Sequence, residues 1–350
     1  MARTATKRGT RRAATKKAQP ARAQKLRVHI EHGPTNPPSM DLTPALIRTA
    51  EKRRPGVLER IKLTYGRNGA KLDEALKGVE VLVLASDSDI SNLATRAPSV
   101  KWVQSTSAGV EQLVPLVPEG VTLTNASGVH TPRGGEYGMT AVLMLNSRVP
   151  QFVTSRQGQR WEPVYTSPVA GKTLVLLGVG AIGGEIARLA KRFSMTVWGV
   201  TRNGRPHRAV DRMFTTKQLA KALPKADFLV ATLPYTSETH NLIGRAELDL
   251  LPRHAGVVNL GRSRVMDYDA LADKLRQGEL SGAVLDVFYP EPLPADSPLW
   301  SAPNLIITPH CAVDDEAAYA ARSIDILFDN LHRYLGGKRL NNIVDPKLGY

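Results

Sequence analysis

The stretch from Thr173 to Phe193 constrains the fold more than any other: a Leu- and Val-rich run, then Gly178-x-Gly180-x-x-Gly183, then a helical pattern. A strand that runs directly into a glycine turn and a helix is the first half of a βαβ unit. In such a unit Gly178 permits the tight turn, Gly180 lets the backbone approach a pyrophosphate, and Gly183 lets the helix pack closely on the strand. Ala181 and Ile182 complete the loop, and the leading amides of the helix attract phosphate. Glycine spacings of this kind also arise by chance. The strand before it and the helix after it mark this one as a dinucleotide site.

The rest of the chain repeats the alternation. Apolar runs at 25–30, 61–65, 81–85 and 102–104 read as strands, with helical patterns at 42–53 and 72–76. A second series at 173–177, 195–200, 227–231, 256–260, 282–287 and 304–308 gives six further strands, which predicts a doubly wound parallel sheet. At 350 residues the chain exceeds what one core usually organises, so two domains are expected. Helical patterns at 133–149 and 315–336 are the expected connections, the second returning the chain to the first domain; a polar stretch at 157–163 follows the first. No internal repeat is evident.

Composition removes several function classes. An apolar fraction of 42% and a charged fraction of 23% are ordinary for a globular protein. No apolar run approaches the roughly 20 residues that span a bilayer, so a soluble chain without membrane contact is expected. Cys311 stands alone, and no Cys and His cluster has metal-ligand spacing, so neither a disulfide nor a metal site is expected and a reducing, cytoplasmic compartment fits. The net charge of +15 resembles a nucleic-acid signature until it is located. Ten basic residues and no acid lie in residues 1–27, leaving only +5 elsewhere. The tail at 1–25 has almost nothing apolar to bury and is expected to be disordered. A solvated extension, a phosphate or acidic-partner contact and a mitochondrial-type presequence all remain open for it, whereas the apolar core of a secretory signal is lacking.

Past the second strand of a dinucleotide domain, an acidic residue normally accepts from the ribose 2′-hydroxyl of NAD. Here Thr201 stands eighteen residues after Gly183, followed by Arg202, Asn203, Gly204 and Arg205. No carboxylate is present to hold the hydroxyl or repel a 2′-phosphate, and two guanidiniums can pair with that phosphate. NADP(H) is therefore favoured, with NAD(H) possible.

Three later strand ends carry polar residues that a buried sheet does not need: Asn259-Leu260-Gly261-Arg262, Asp286 with Glu291 soon after, and Thr308-Pro309-His310. In an open α/β sheet the C-terminal strand ends line the ligand crevice, so Arg262, Asp286, Glu291 and His310 can converge. At these residues, together with Thr106–Gln112 and Leu233–Gly244, the sequence resembles the D-isomer-specific 2-hydroxyacid dehydrogenase family over nearly all of the chain after about residue 60. The resemblance is nearest to the glyoxylate and hydroxypyruvate reductase branch.

That resemblance implies two doubly wound parallel-sheet domains, with a Rossmann NAD(P)-binding domain at 126–317 inserted in a flavodoxin-like substrate domain at 26–125 and 318–350. It also implies a homodimer. By the same resemblance Arg262 binds the substrate carboxylate and polarises the keto group, and His310 is the general acid. Glu291 accepts from His310 and favours its imidazolium form. Asp286 contacts the nicotinamide carboxamide, and Leu233, Pro234 and Leu260 line the cofactor. The backbone at Ala108, Gly109 and Val110 cradles the carboxylate. The chemistry stands on its own terms, because hydride arriving at a carbonyl carbon leaves charge on oxygen, where a cation and a proton donor are needed. Ser194, Ser263 and the Cys311–Asp315 stretch depart from the usual pattern. A dinucleotide-sensing protein of the co-repressor type is the alternative on the same scaffold.

Overall fold

The computed structural model describes residues 24–350 except 34–36, 68, 70, 86 and 87, so the basic tail lies outside the described residues but for its last two. The first sheet contains β1 (Leu26–His32), β2 (Ile61–Arg67), β3 (Val81–Leu84), β4 (Trp102–Ser105) and β5 (Thr122–Thr124), in the order β2-β1-β3-β4-β5. All its pairings are parallel, and the order is the flavodoxin-like one. The second contains β6 (Thr173–Leu177), β7 (Thr196–Thr201), β8 (Arg212–Thr215), β9 (Phe228–Ala231), β10 (Gly256–Asn259), β11 (Gly282–Leu285) and β12 (Leu305–Ile307). Its order, β12-β11-β10-β9-β6-β7-β8, reverses between β6 and β9 and is that of a Rossmann sheet with a seventh strand.

Both sheets are covered on both faces, as parallel sheets must be. In the second, alternate residues of β6 divide between two cores: Val175 and Leu177 face one, Leu174 and Leu176 the other. In the first, Val81 and Val83 face the core shared with the C-terminal helix, while Leu82 and Leu84 face the opposite one. That helix, Tyr319–Leu335, sends Ile324, Leu327, Phe328 and Leu331 into the first sheet's core. A fully buried side chain of this kind contributes about 1.5–3 kcal/mol. The chain therefore returns to the first sheet after completing the second, as expected.

The helix Thr131–Asn146 carries Pro132 in its first turn and lies on the helix Ala181–Arg192 that follows the glycine loop. Glycines make the approach possible. A Cβ at Gly138 would overlap Ile186, and one at Gly135 would overlap Glu185. This pairing seats the cofactor-loop helix firmly against the second sheet.

Two strands and one helix differ from expectation. β5 is three residues long, and β8 is a four-residue edge strand with only Phe214 buried, so neither has an apolar run to read. The second sheet consequently has seven strands rather than six. The helical pattern expected at 133–149 ends at Asn146, and a separate helix, Val149–Gln157, starts after Arg148 in a left-handed conformation. Ser194 also has positive φ, 58°, at the turn into β7, which explains why a glycine suits that position.

Candidate active site

The glycine loop leaves the C-terminal end of β6, beside the point where the strand order reverses. Gly178 has φ of 91°, a left-handed turn that disfavours a side chain. A Cβ on Gly183 would fall inside contact distance of the Gly178 carbonyl oxygen, so this glycine serves close packing. Gly180 is different, since a Cβ there would meet nothing within 4 Å. The chain keeps open space at Gly180, directly before the helix N-terminus that favours anions. Ala181 is exposed at this mouth, whereas the Ile182 side chain lies against Gly134.

Neighbouring loops close around this one. Thr232 Oγ1 donates to the Gly178 carbonyl oxygen at 3.1 Å, and a Cβ on Gly178 would lie 3.1 Å from Leu233 Cδ2. Gly261 packs so tightly on Leu233 that a Cβ would lie 2.8 Å from its backbone nitrogen. Pro234 follows in the same loop, its carbonyl accepting from Thr239 Oγ1 at 2.8 Å. Leu260 points the other way, with its side chain in the core under the helix Thr131–Asn146, so only its backbone faces the loops. At the end of β7, Thr201 Oγ1 accepts from the Gly204 amide at 3.0 Å, and Arg202 and Arg205 are exposed with no carboxylate beside them in that turn.

The three polar strand ends follow the neighbouring strands β10, β11 and β12. Asn259 organises the first: its Oδ1 accepts from the Gly261 amide at 3.0 Å, and its Nδ2 donates to the Arg262 carbonyl at 3.1 Å. The same Nδ2 donates to the buried Tyr268 hydroxyl, whose own proton goes to the Val287 carbonyl. At the end of β11, Asp286 Oδ1 accepts from Thr308 Oγ1 at 2.6 Å and from the amides of Cys311 and Ala312. Its Oδ2 is buried with no partner. Burial pushes the Asp286 carboxyl above its usual range, against the pull of these donors and of His310. A buried acceptor left open is the group a carboxamide N–H can satisfy.

His310 Nδ1 lies 2.8 Å from Glu291 Oε2, and Glu291 Oε1 is fixed by the Phe288 amide at 2.7 Å. The carboxylate therefore orients the ring through Nδ1 and leaves Nε2 as the working nitrogen. His310 sits at φ of 50°, a left-handed conformation uncommon outside glycine and met at functional positions.

Arg262 reaches the first sheet. Its Nε donates to Glu111 Oε1 at 2.9 Å and its Nη1 to the Gly261 carbonyl at 2.8 Å. Gly109 lies against the guanidinium so closely that any Cβ would overlap Nη2. Ala108 and Gly109 are partly exposed at this point, while the Val110 side chain is buried in the first sheet's core and offers only backbone. Two groups here had no expected role. Glu111 is one, and His130 is the other, 3.3 Å from Asp314 and with its pKa lowered mainly by burial and further by the charges of His310 and Arg262. Among the described residues no group of His, Cys, Asp and Glu could hold a metal, and no helix is long and apolar enough to cross a membrane.

Residues 139–312 match the profile of the D-isomer specific 2-hydroxyacid dehydrogenase NAD binding domain. The chain is 34% identical over 263 residues to glyoxylate/hydroxypyruvate reductase B of Pectobacterium carotovorum subsp. carotovorum strain PC1, covering 72% of this chain and 81% of that protein. It is similar to the crystal structure of a D-isomer specific 2-hydroxyacid dehydrogenase family protein from Aeromonas salmonicida subsp. salmonicida A449, at 31% identity and a TM-score of 0.76, covering 92% of this chain and all of that one. A D-isomer specific 2-hydroxyacid dehydrogenase from Xanthobacter autotrophicus Py2, solved with NADPH and MES, aligns at 26% identity and a TM-score of 0.79, covering 94% of this chain and all of that one.

Proposed function

Because the chain belongs to the D-isomer-specific 2-hydroxyacid dehydrogenase family, we propose that its cleft reduces glyoxylate, hydroxypyruvate or a related small 2-oxo acid to the D-2-hydroxy acid, with NADPH as the preferred reductant. The broader activity, NAD(P)H-dependent reduction of a 2-oxo acid, goes with the family. The observation that carries the proposed proton transfer is the Glu291–His310 pair, with Nε2 left for substrate, on the same sheet edge as Arg262 and the open glycine loop.

When bound, the nicotinamide would supply the hydride that reduces the carbonyl carbon. The residues do the rest. The cleft of Ala108, Gly109 and Val110 receives the carboxylate by backbone, and Arg262 pairs with it while polarising the carbonyl oxygen. As negative charge develops on that oxygen, protonated His310 releases the Nε2 proton to it, and the hydroxyl is formed. Glu291 steadies the cation that gives up the proton. Gly178, Gly180, Ala181, Ile182 and Gly183 would hold the pyrophosphate, Leu233, Pro234 and the Leu260 backbone would flank the nucleotide, and Asp286 Oδ2 would accept from the carboxamide.

The preference for NADPH rests on Thr201, Arg202 and Arg205, and is supported by the NADPH held in the Xanthobacter autotrophicus relative. The co-repressor alternative has no support among the reductases this chain resembles. The proposed boundaries are 26–125 with 318–350 for substrate and 126–317 for cofactor. A homodimer is part of the same reading, and the exposed Phe152, Trp161 and Tyr165, the last two 98% and 92% accessible, offer apolar surface to a second copy. A cytoplasmic location is part of the same proposal. Purified protein with a panel of 2-oxo acids, run with NADPH and with NADH and followed by chiral analysis of the product, tests the reading. Failure to oxidise either cofactor with any acid would reject it.

A further inference from the structure

Glu111 belongs to the loop after β4 in the first sheet, and Arg262 to the loop after β10 in the second. They meet across the cleft as an ion pair, Nε to Oε1 at 2.9 Å and Nη2 to Oε2 at 3.5 Å. Both side chains are about one-third exposed, at 33% for Arg262 and 30% for Glu111, so the pair sits at the mouth of the cleft rather than in a core.

The guanidinium has five N–H donors in a rigid plane. Glu111 takes the edge formed by Nε and one proton of Nη2. The Gly261 carbonyl takes one proton of Nη1 at 2.8 Å. Two donors remain, one on each terminal nitrogen, and a carboxylate needs two such parallel N–H groups. Gly109 Cα lies against Nη2, and a Cβ there would also lie 3.0 Å from Glu111 Oε2. The remaining donors are therefore held beside the backbone that is proposed to receive the substrate. Without Glu111 only the Gly261 carbonyl restrains the plane, and the Nε edge is left open to compete for the carboxylate.

We propose that Glu111 is a positioning residue of the reductase site: it occupies the Nε edge of Arg262 and so presents the terminal edge of the guanidinium to the carboxylate of the 2-oxo acid. It also links the two domains through the residue that binds substrate. A merely stabilising surface pair has no reason to select one edge. A substrate mimic would occupy the terminal nitrogens instead, and its removal would tighten substrate binding.

This inference rests on the reading of the cleft as a 2-oxo acid reductase site, and the test separates the two. Wild type, Glu111→Ala, Glu111→Gln, Arg262→Lys and the double variant Glu111→Ala/Arg262→Lys are compared for KM and kcat with glyoxylate at saturating NADPH. Oxalate binding to the NADPH complex and NADPH binding alone are measured by nucleotide fluorescence. In Glu111→Ala the glyoxylate KM and the oxalate Kd should rise by about tenfold or more, with NADPH binding unchanged. Glu111→Gln, which keeps an acceptor for Nε, should fall between that variant and wild type. In the Arg262→Lys background, where a single ammonium has no edge to orient, Glu111→Ala should change either value by less than about twofold. Unchanged or lowered KM and Kd in Glu111→Ala would overturn the proposal, as would an undiminished loss in the Arg262→Lys background or an equal loss of NADPH binding. A wild type that neither turns over any 2-oxo acid nor binds oxalate overturns the reductase reading itself, and the inference with it.

Discussion

Gly180→Ala should separate nucleotide binding from folding. The added methyl meets no atom within 4 Å, and φ of −84° keeps the residue out of the left-handed region that favours glycine. In the free protein the substitution therefore carries no steric cost, and the smaller freedom of the unfolded chain stabilises by about 0.4–1 kcal/mol. The melting temperature should stay within about 2 °C of wild type. A pyrophosphate approaching the loop must then share its space with the methyl, and forced overpacking costs roughly 1–3 kcal/mol. That cost corresponds to a roughly fivefold to 150-fold weaker NADPH Kd. Gly183→Ala is the contrast, because its Cβ would overlap the Gly178 carbonyl oxygen and crowd Thr232 Oγ1 at 2.9 Å, so stability and binding should fall together. Thermal melts with and without nucleotide, and NADPH fluorescence titration, read both quantities. If Gly180→Ala bound NADPH as wild type does, the pyrophosphate would not lie on this loop. If it melted as low as Gly183→Ala, the argument from open space would be wrong.

Other consequences are sharper in one measurement each. His310→Ala should lower kcat for 2-oxo acid reduction by roughly 100- to 10,000-fold while the NADPH Kd stays near wild type, and near-native turnover would remove His310 as the proton donor. Arg202→Ala should raise the NADPH KM by roughly tenfold and leave that for NADH almost unchanged; equal effects on the two cofactors would reject a 2′-phosphate contact. Asp286 has a carboxyl raised above its usual 3.8 by burial, so the native state binds its proton more tightly than the unfolded chain does. The stability this group contributes is present below 3.8 and is lost as pH rises through the raised value. Asp286→Asn should thus melt above wild type at neutral pH, with the gap closing on acidification, while NADPH-dependent turnover falls because Oδ2 no longer accepts. A constant gap across pH would show that the carboxyl is not titrating in that window.

Much of this site was legible because its chemistry sits at positions where a parallel sheet needs only apolar residues. Arg262, Asp286 and His310 interrupt runs that otherwise read as buried strands, and each lies at a C-terminal strand end. The glycine loop was legible for a similar reason: one backbone conformation, one close contact and one open space each call for a missing side chain. What escaped the sequence lacked a local signal. β8 shows an Arg that lies over Trp198 and Phe214 rather than an apolar run, and β5 is too short to alternate. Leu260 lies among site residues in sequence, yet strand alternation carries its side chain into the core. Glu111 lies 151 residues from Arg262, in a glycine-containing turn where an acid looks like a solvated loop residue. Only the closure of one sheet over the other gives it a partner.

That closure divides the site into two parts with different sensitivities. His310, Glu291 and Asp286 are held by bonds within the second sheet's own loops: Nδ1 to Glu291, Glu291 to the Phe288 amide, and Asp286 to Thr308, Cys311 and Ala312. Opening the cleft leaves each of these intact. Arg262 is held on one side by Gly261, from its own loop, and on the other by Glu111, from the opposite sheet. Separation of the two sheets would therefore cost the guanidinium its Glu111 contact and leave the Gly261 contact and the His310–Glu291 pair in place. On the proposed role of Arg262, carboxylate recognition then depends on the contact between the two sheets. A 2-oxo acid pairing with both Arg262 and the Ala108–Val110 backbone touches both halves at once. On the roles proposed above, substrate binding and completion of the site would coincide, whereas a nucleotide seated on the second sheet's loops would bind without the first sheet.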